Sequence, residues 1–208
     1  MSDRLAAALA AVVVLALIAS GLTPFDRTTW WLEVAPVIIA LPVLFATRRS
    51  FPLTPLLYWI IAIHALVLIA GGAWSYARVP LGFWLQHVLA LSRNPYDKIG
   101  HFMQGLTPAL LCCEILLRGG YMRISKARRM TAFLAICVAM AISACYELIE
   151  WGAAVALGQG ADEFLGTQGD PWDTQSDMFM ALLGAGFAMF CLRRWHSRQM
   201  QKVGPGRS

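Results

Sequence analysis

LLYWIIAIHALVLIAGGAWSYA, residues Leu56–Ala77, contains no Asp, Glu, Lys or Arg. A bilayer core of about 30 Å takes roughly 20 apolar residues of α-helix, so this run predicts a membrane span. Working outward, five more stretches are similarly apolar: Leu5–Leu22, Trp30–Ala46, Ile99–Leu117, Thr131–Leu157 and Ser176–Leu192. Trp30–Ala46 is short and carries Pro36 and Pro42, which predicts a kink. Thr131–Leu157 is long enough to tilt or to project beyond the bilayer. Pro80–Leu91 is too short to span. Its Leu81, Phe83, Trp84, Leu85, Val88 and Leu89 predict a helix lying in the interface.

Composition agrees. The 208 residues are 58% hydrophobic and 14% charged, with mean hydropathy +0.59. Soluble domains are nearer 45–50% apolar and about 25% charged. An ordinary soluble enzyme and a disordered chain are both excluded. The fold class is all-α: a polytopic membrane helix bundle of about six spans. One membrane domain covers 1–192, and a basic cytoplasmic tail covers 193–208. Arg4, the following apolar run and Ala19–Ser20–Gly21 also allow a cleavable leader, whose loss would leave the other spans oriented as before. Cys112, Cys113, Cys137, Cys145 and Cys191 are odd in number, lack CxxC spacing and read as small hydrophobes in helices.

The net charge of +5 is an orientation signal that needs no nucleic-acid partner. With the N-terminus in the cytoplasm, the inner side receives Arg4, Arg48, Arg49, Arg118, Arg123, Lys126, Arg128 and Arg129. It also receives Arg193, Arg194, Arg198, Lys202 and Arg207, making 13 of the 17 basic residues. Arg27, Arg78, Arg93 and Lys98 stay outside. Both termini are therefore expected inside.

Topology then places the acids. Asp3 and Glu114 fall inside, with Glu114 four residues before Arg118 as a helical ion pair. Asp26 and Glu33 read as surface or interfacial charge, and Asp162 and Glu163 as solvated loop charge. Asp97, Glu147, Glu150, Asp170, Asp173 and Asp177 converge at one depth on the outer side. Glu147 and Glu150 are three apart, while Asp97 and His101, and Asp173 and Asp177, are four apart, so each pair shares a helix face. Acids within a span are costly and mark a site, a relay or a pair. Gathered in low dielectric, they need a cation or they take up protons.

Asn94–Pro95–Tyr96–Asp97 precedes His101 by the step at which Asp170–Pro171–Trp172–Asp173 precedes Asp177. Asn94 and Asp170 are good N-caps, with proline at the first helical position. Asp97 and Asp173 then suit the helix dipole, so both motifs also read as well-made helix starts. That account explains His101 and Asp177 less well, since they sit a turn deeper and face the same way. Gln104 and Gln175 are candidate hydrogen-bonding neighbours. Lys98 is a candidate for a headgroup phosphate or a snorkelling lysine. His64 reads as a hydrogen-bonded core histidine, and His87 and His196 as solvated. Gly166–Thr167–Gln168–Gly169 reads as a turn.

The motifs Asn94-x-Tyr96-Asp97-x3-His101-Phe102-x-Gln104-Gly105, Tyr146-Glu147-x2-Glu150-Trp151 and Phe164-Leu165-Gly166-Thr167-Gln168-Gly169-Asp170-x-Trp172-Asp173-x3-Asp177-Met178 resemble the YjdF-like family of bacterial inner-membrane proteins. The match is close over roughly residues 94–186. It implies a multipass inner-membrane protein with no established activity; the charge-based topology places the candidate site on the periplasmic side. The plan of Asp-x3-His, an acid on the next helix and aspartates opening a third is also similar to VanZ-like membrane proteins, which are linked to glycopeptide-antibiotic tolerance. Here Glu150 stands where that plan tends to have glutamine, and the arginine before the final aspartates is missing.

The leading expectation is a membrane enzyme acting on a lipid or lipid-linked substrate. Its candidate catalytic residues are Asp97, His101, Glu147, Glu150, Asp173 and Asp177. Of these, His101, Glu147, Glu150, Asp173 and Asp177 would hold a divalent cation such as Mg²⁺, Mn²⁺ or Zn²⁺, or act as an acid–base pair. Lys98, Gln104 and Asp170 are candidates for substrate binding. A proton- or cation-coupled transporter and a structural or accessory protein are the other expectations.

Overall fold

The computed structural model describes residues 2–122, 128–157 and 168–204. The expectations for Arg123, Lys126, Asp162, Glu163, Gly166, Thr167 and Arg207 lie outside the described residues. The helices are α1 (Ser2–Leu22), α2 (Arg27–Thr47), α3 (Pro55–Trp74), α4 (Pro80–Val88), α5 (Tyr96–Arg118), α6 (Arg128–Leu157), α7 (Asp173–Phe187) and α8 (Arg193–Val203). A short 3-10 turn, Tyr76–Arg78, links α3 to α4, and a π-helical turn, Ala188–Leu192, joins α7 to α8. Among the described residues, α1, α2, α3, α5, α6 and the joined α7–α8 are long and apolar enough to cross a membrane.

Local chemistry sets several ends. Asp26 accepts from the Thr29 amide at 2.7 Å, which starts α2 and holds the Asp26 carboxyl below its usual range. Thr54 and Pro55 start α3 as cap and first residue. Several span ends differ from the sequence reading: α2, α5, α6 and α7 each begin three residues earlier, at Arg27, Tyr96, Arg128 and Asp173. α3 stops at Trp74 rather than Ala77, because Ser75 turns to φ 64°. The last helix runs beyond Leu192 to Val203, because the π turn carries the helical backbone into the segment read as a tail.

The bundle has two three-helix groups. α1 and α2 pack against α3; α6 and α7 pack against α5; α3 and α5 join the groups. Leu57, Leu106, Leu110, Ala139 and Ala185 form the core between them. Lipid offers no hydrophobic drive for helix association, so close packing of small residues has to hold α5 to α7. A Cβ on Gly105 would lie 1.8 Å from the Ala181 carbonyl oxygen, and one on Gly184 would lie 1.9 Å from that of Phe102. The two backbones therefore touch, which brings the side chains of their first turns within reach of each other.

Candidate functional site

The starts of α5 and α7 are set side by side by a polar seam. Asn94, 2% exposed, donates through Nδ2 to the Val79 carbonyl at 3.1 Å and accepts from the Tyr96 amide at 3.0 Å. Gln168 accepts from the Asn94 amide at 3.1 Å and donates to its carbonyl at 3.0 Å. Asp170 accepts from the Trp172 amide at 2.9 Å. Asn94 and Asp170 thus close matching turns just before their helices, which begin at Tyr96 and Asp173. Each helix starts later than the cap reading placed it, because the side chains bond two residues on instead of to the first helical turn.

Lys98 bridges the helices. Its ammonium donates to Asp177 Oδ1 at 2.6 Å, Ser176 Oγ at 2.7 Å and Asp173 Oδ1 at 2.9 Å. An ammonium has three protons, and all three are used. Lys98 thereby ties the start of α5 to the start of α7. Arg93 binds Asp173 and Asp170, each at 2.8 Å, so Asp173 faces two cations and Asp170 sits at the rim.

One turn deeper lies His101, 5% exposed. Its Nε2 is 3.4 Å from Asp97 and 3.8 Å from Asp177, while Nδ1 is 3.7 Å from Glu147 and 2.9 Å from Gln104 Oε1. Ligand atoms of Asp97, His101 and Asp177 all lie within 4.8 Å of one another, close enough for one cation to touch all three. Glu147 Oε1 is buried with no hydrogen-bond partner among the described residues. Gln175 is exposed and outside this group.

A cavity of about 220 Å³ adjoins the triplet. Asp97, His101, Gln104, Glu150, Tyr146 and His64 are on its wall. His64, expected to be hydrogen-bonded in the core, lines this cavity, and its Nε2 is buried without a hydrogen-bond partner among the described residues. Ile142 lines the same cavity and is 42% exposed, so the wall is continuous with the outer surface of α6.

Glu33 is another correction. It is 1% exposed and accepts from the Tyr146 hydroxyl at 3.3 Å. It shares a helix face with Trp30, Val34 and Val37, all buried, and that spacing was the available signal. Tyr76 is also on the cavity wall, and burial, with the Glu33 carboxylate nearby, pushes its phenol well above the ordinary range. Glu33, Asp97, Glu147, Glu150, Asp173 and Asp177 are all buried, against Lys98, Arg93 and His101. Carboxylates outnumber cations, and low dielectric penalises the surplus.

The far end of the bundle holds a second buried network. Glu114 and His196 have no exposed surface. Glu114 accepts from Arg118 at 2.5 Å, from the Thr54 amide at 3.0 Å and from the Thr54 hydroxyl at 2.8 Å. His196 Nε2 lies 2.7 Å from Glu114 Oε2. The pair expected from sequence is therefore part of a larger group, and His196 is buried rather than solvated. Arg118 also donates to the carbonyls of Pro52 and Gly204, each at 2.7 Å.

Fold and site together define a polytopic membrane protein with a buried carboxylate–histidine cluster at one end of its bundle. The chain belongs to the family described as "Predicted membrane protein (DUF2238)", which matches residues 5–198. It is 59% identical over 195 residues to Inner membrane protein YjdF of Escherichia coli (strain K12), covering 94% of this chain and 92% of that one. It is thus a multi-pass inner-membrane protein of the YjdF-like family. No solved structure matches it.

Proposed function

We propose that this protein is a divalent-cation-dependent enzyme working at the outer leaflet on a lipid or lipid-linked substrate. The observation that carries the reading is the Asp97–His101–Asp177 triplet beside a cavity with a wall on the bilayer side. Asp97, His101 and Asp177 hold the cation, and Glu147 Oε1, without a hydrogen bond among the described residues, stands next to them, 3.7 Å from His101. Two oxygen donors and one imidazole suit Mn²⁺ or Zn²⁺ better than Mg²⁺. When bound, such a cation supplies Lewis acidity and an activated water.

The protein's own groups supply the rest. Lys98 and Arg93 neutralise Asp173 and fix where Asp177 stands. Gln104 orients the His101 ring from Nδ1. Glu150, on the cavity wall, and Glu147, beside His101, are placed for proton transfer. Pro36, Leu68, Pro108 and Ile142 make the cavity walls partly apolar, which suits an amphiphile whose polar group reaches the acids. The exposed Leu81, Phe83, Trp84 and Val88 of α4 fit a helix lying in the membrane surface. The excess of basic residues at the opposite end supports the outward assignment. The likeness to VanZ-like proteins rests on the same acid–histidine plan. The transport reading finds support in the buried Glu114–His196 pair. An apolar layer containing Leu57, Leu106 and Leu110 stands between that pair and the triplet, which favours the enzyme.

The test is elemental analysis of protein purified in mild detergent, comparing wild type with Asp177→Ala and Glu147→Ala. Roughly one bound Mn or Zn per chain is expected in wild type. Loss is expected in Asp177→Ala and weakening in Glu147→Ala. A metal-free wild type after reloading, or retention in Asp177→Ala, would overturn the proposal.

A further inference from the structure

α1 and α2 meet where a short loop joins them. Trp30 Nε1 donates to Ser20 Oγ at 3.0 Å, and its ring closes over Gly21, where a Cβ would lie 2.8 Å away. Toward the other end the two helices spread apart over α3. Ala6 and Ala10 of α1, Ala40 of α2, and Ala62 and Ala65 of α3 leave a recess of about 500 Å³ between them. Its lining is apolar apart from Arg48 and the Tyr58 hydroxyl, and Arg48 stands at the end of α2. The Arg48 guanidinium lies over the Phe45 ring, 3.6 Å from its centroid. Arg4 and Arg49, both exposed, belong to the same end of the bundle.

We propose that this recess is a phospholipid site, with one acyl chain lying in it and the lipid phosphate on Arg48. Water does not fill a cavity without polar partners, so within a bilayer the natural occupant is a hydrocarbon chain. The volume lies in the roughly 300–1,000 Å³ range of small-molecule sites. Three helices wall it, which separates it from the ordinary lipid-facing surface. Charge complementarity supplies the headgroup: a planar guanidinium matches two phosphate oxygens, and Arg4 and Arg49 add to the positive field. A second recess, about 630 Å³ beside Phe25 and Trp74, is lined by no charged residue and carries no such argument. The Arg48 site is remote from the acidic cluster and does not depend on the enzymatic reading.

The experiment is native mass spectrometry with phospholipid phosphorus analysis after exhaustive exchange into dodecyl maltoside. Wild type, Arg48→Gln, Ala10→Phe and Ala62→Phe are compared. Wild type is expected to retain roughly one phospholipid per chain, and each variant to retain about tenfold less. Adding phosphatidylglycerol back should raise the Tm of wild type and leave Ala10→Phe unmoved. Arg48 is half-buried at the end of α2, over the Phe45 ring and donating to the Phe45 carbonyl, so Arg48→Gln removes the charge without filling the recess and stays informative if a filling variant does not fold. A wild type without phospholipid overturns the proposal, as does retention at the wild-type level in Arg48→Gln and Ala10→Phe. Retention of fatty acid or detergent in place of phospholipid also overturns it. So does a wild-type dimer that the filling variants convert to monomer, because the recess would then be covered by a second copy.

Discussion

Gly184→Ala tests the claim that backbone contact between α5 and α7 builds the site. The new methyl would stand 1.9 Å from the Phe102 carbonyl oxygen, whereas an ordinary contact begins at 3.4 Å. α7 has to retreat by about 1.5 Å, because neither atom belongs to a flexible side chain. Carried to the first turns, that shift lengthens the His101–Asp177 separation from 3.8 Å to about 5.3 Å. This exceeds the 4.8 Å spread of the triplet. Overpacking of this kind costs roughly 1–3 kcal/mol. Gly152→Ala is the control, since its methyl meets nothing within 4 Å and alanine favours a helix by about 1 kcal/mol. The assays are SDS-induced unfolding in mixed micelles and calorimetric titration with Mn²⁺. Gly184→Ala should lower both stability and cation affinity, and Gly152→Ala neither. Equal behaviour of the two variants would refute the packing argument. Lost stability with wild-type cation affinity would refute its link to the site.

Lys98→Met should cost about 3 kcal/mol at neutral pH, because it leaves buried aspartates without their ammonium. Melting curves should show the deficit shrinking in acid, where protonated aspartates need no counter-charge. Glu114→Gln removes the anion that Arg118 and His196 share, and should loosen α8. Trypsin cleavage at Arg198 in proteoliposomes should speed up by about tenfold, equivalent to ~1.4 kcal/mol of local opening. Asn94→Ala loses two buried side-chain bonds and takes the acceptor from the Tyr96 amide, a cost of about 2 kcal/mol readable as a lower Tm.

The six spans were legible because length and apolarity decide them with no tertiary information. Asp97, His101 and Asp177 were also legible as candidates, since helical spacing and topology put them at one level. Glu33 and His196 were not read as buried. Each lies near the end of an apolar run, where charge is ordinarily solvated. Their partners, Tyr146 and Glu114, are 113 and 82 residues away in the chain. Lys98 was visible as a basic residue beside an acid. Its real position depends on Gly105 and Gly184 letting two backbones touch, and helix contact is not written in composition.

The rod formed by α7 and α8 is pinned at both ends to the same neighbour. Asp173 and Asp177 are tied to Lys98 at the start of α5, and His196 is tied to Glu114 near its end. Asp177 and His196 are 19 residues apart, or about 28 Å along a helix. A rod held at two points cannot slide, so its axial register is set twice over. The π turn at Ala188–Leu192 lies between the two pins, where it can absorb a mismatch in length without moving either. The acidic cluster thus inherits its alignment partly from an ion pair at the other side of the bundle.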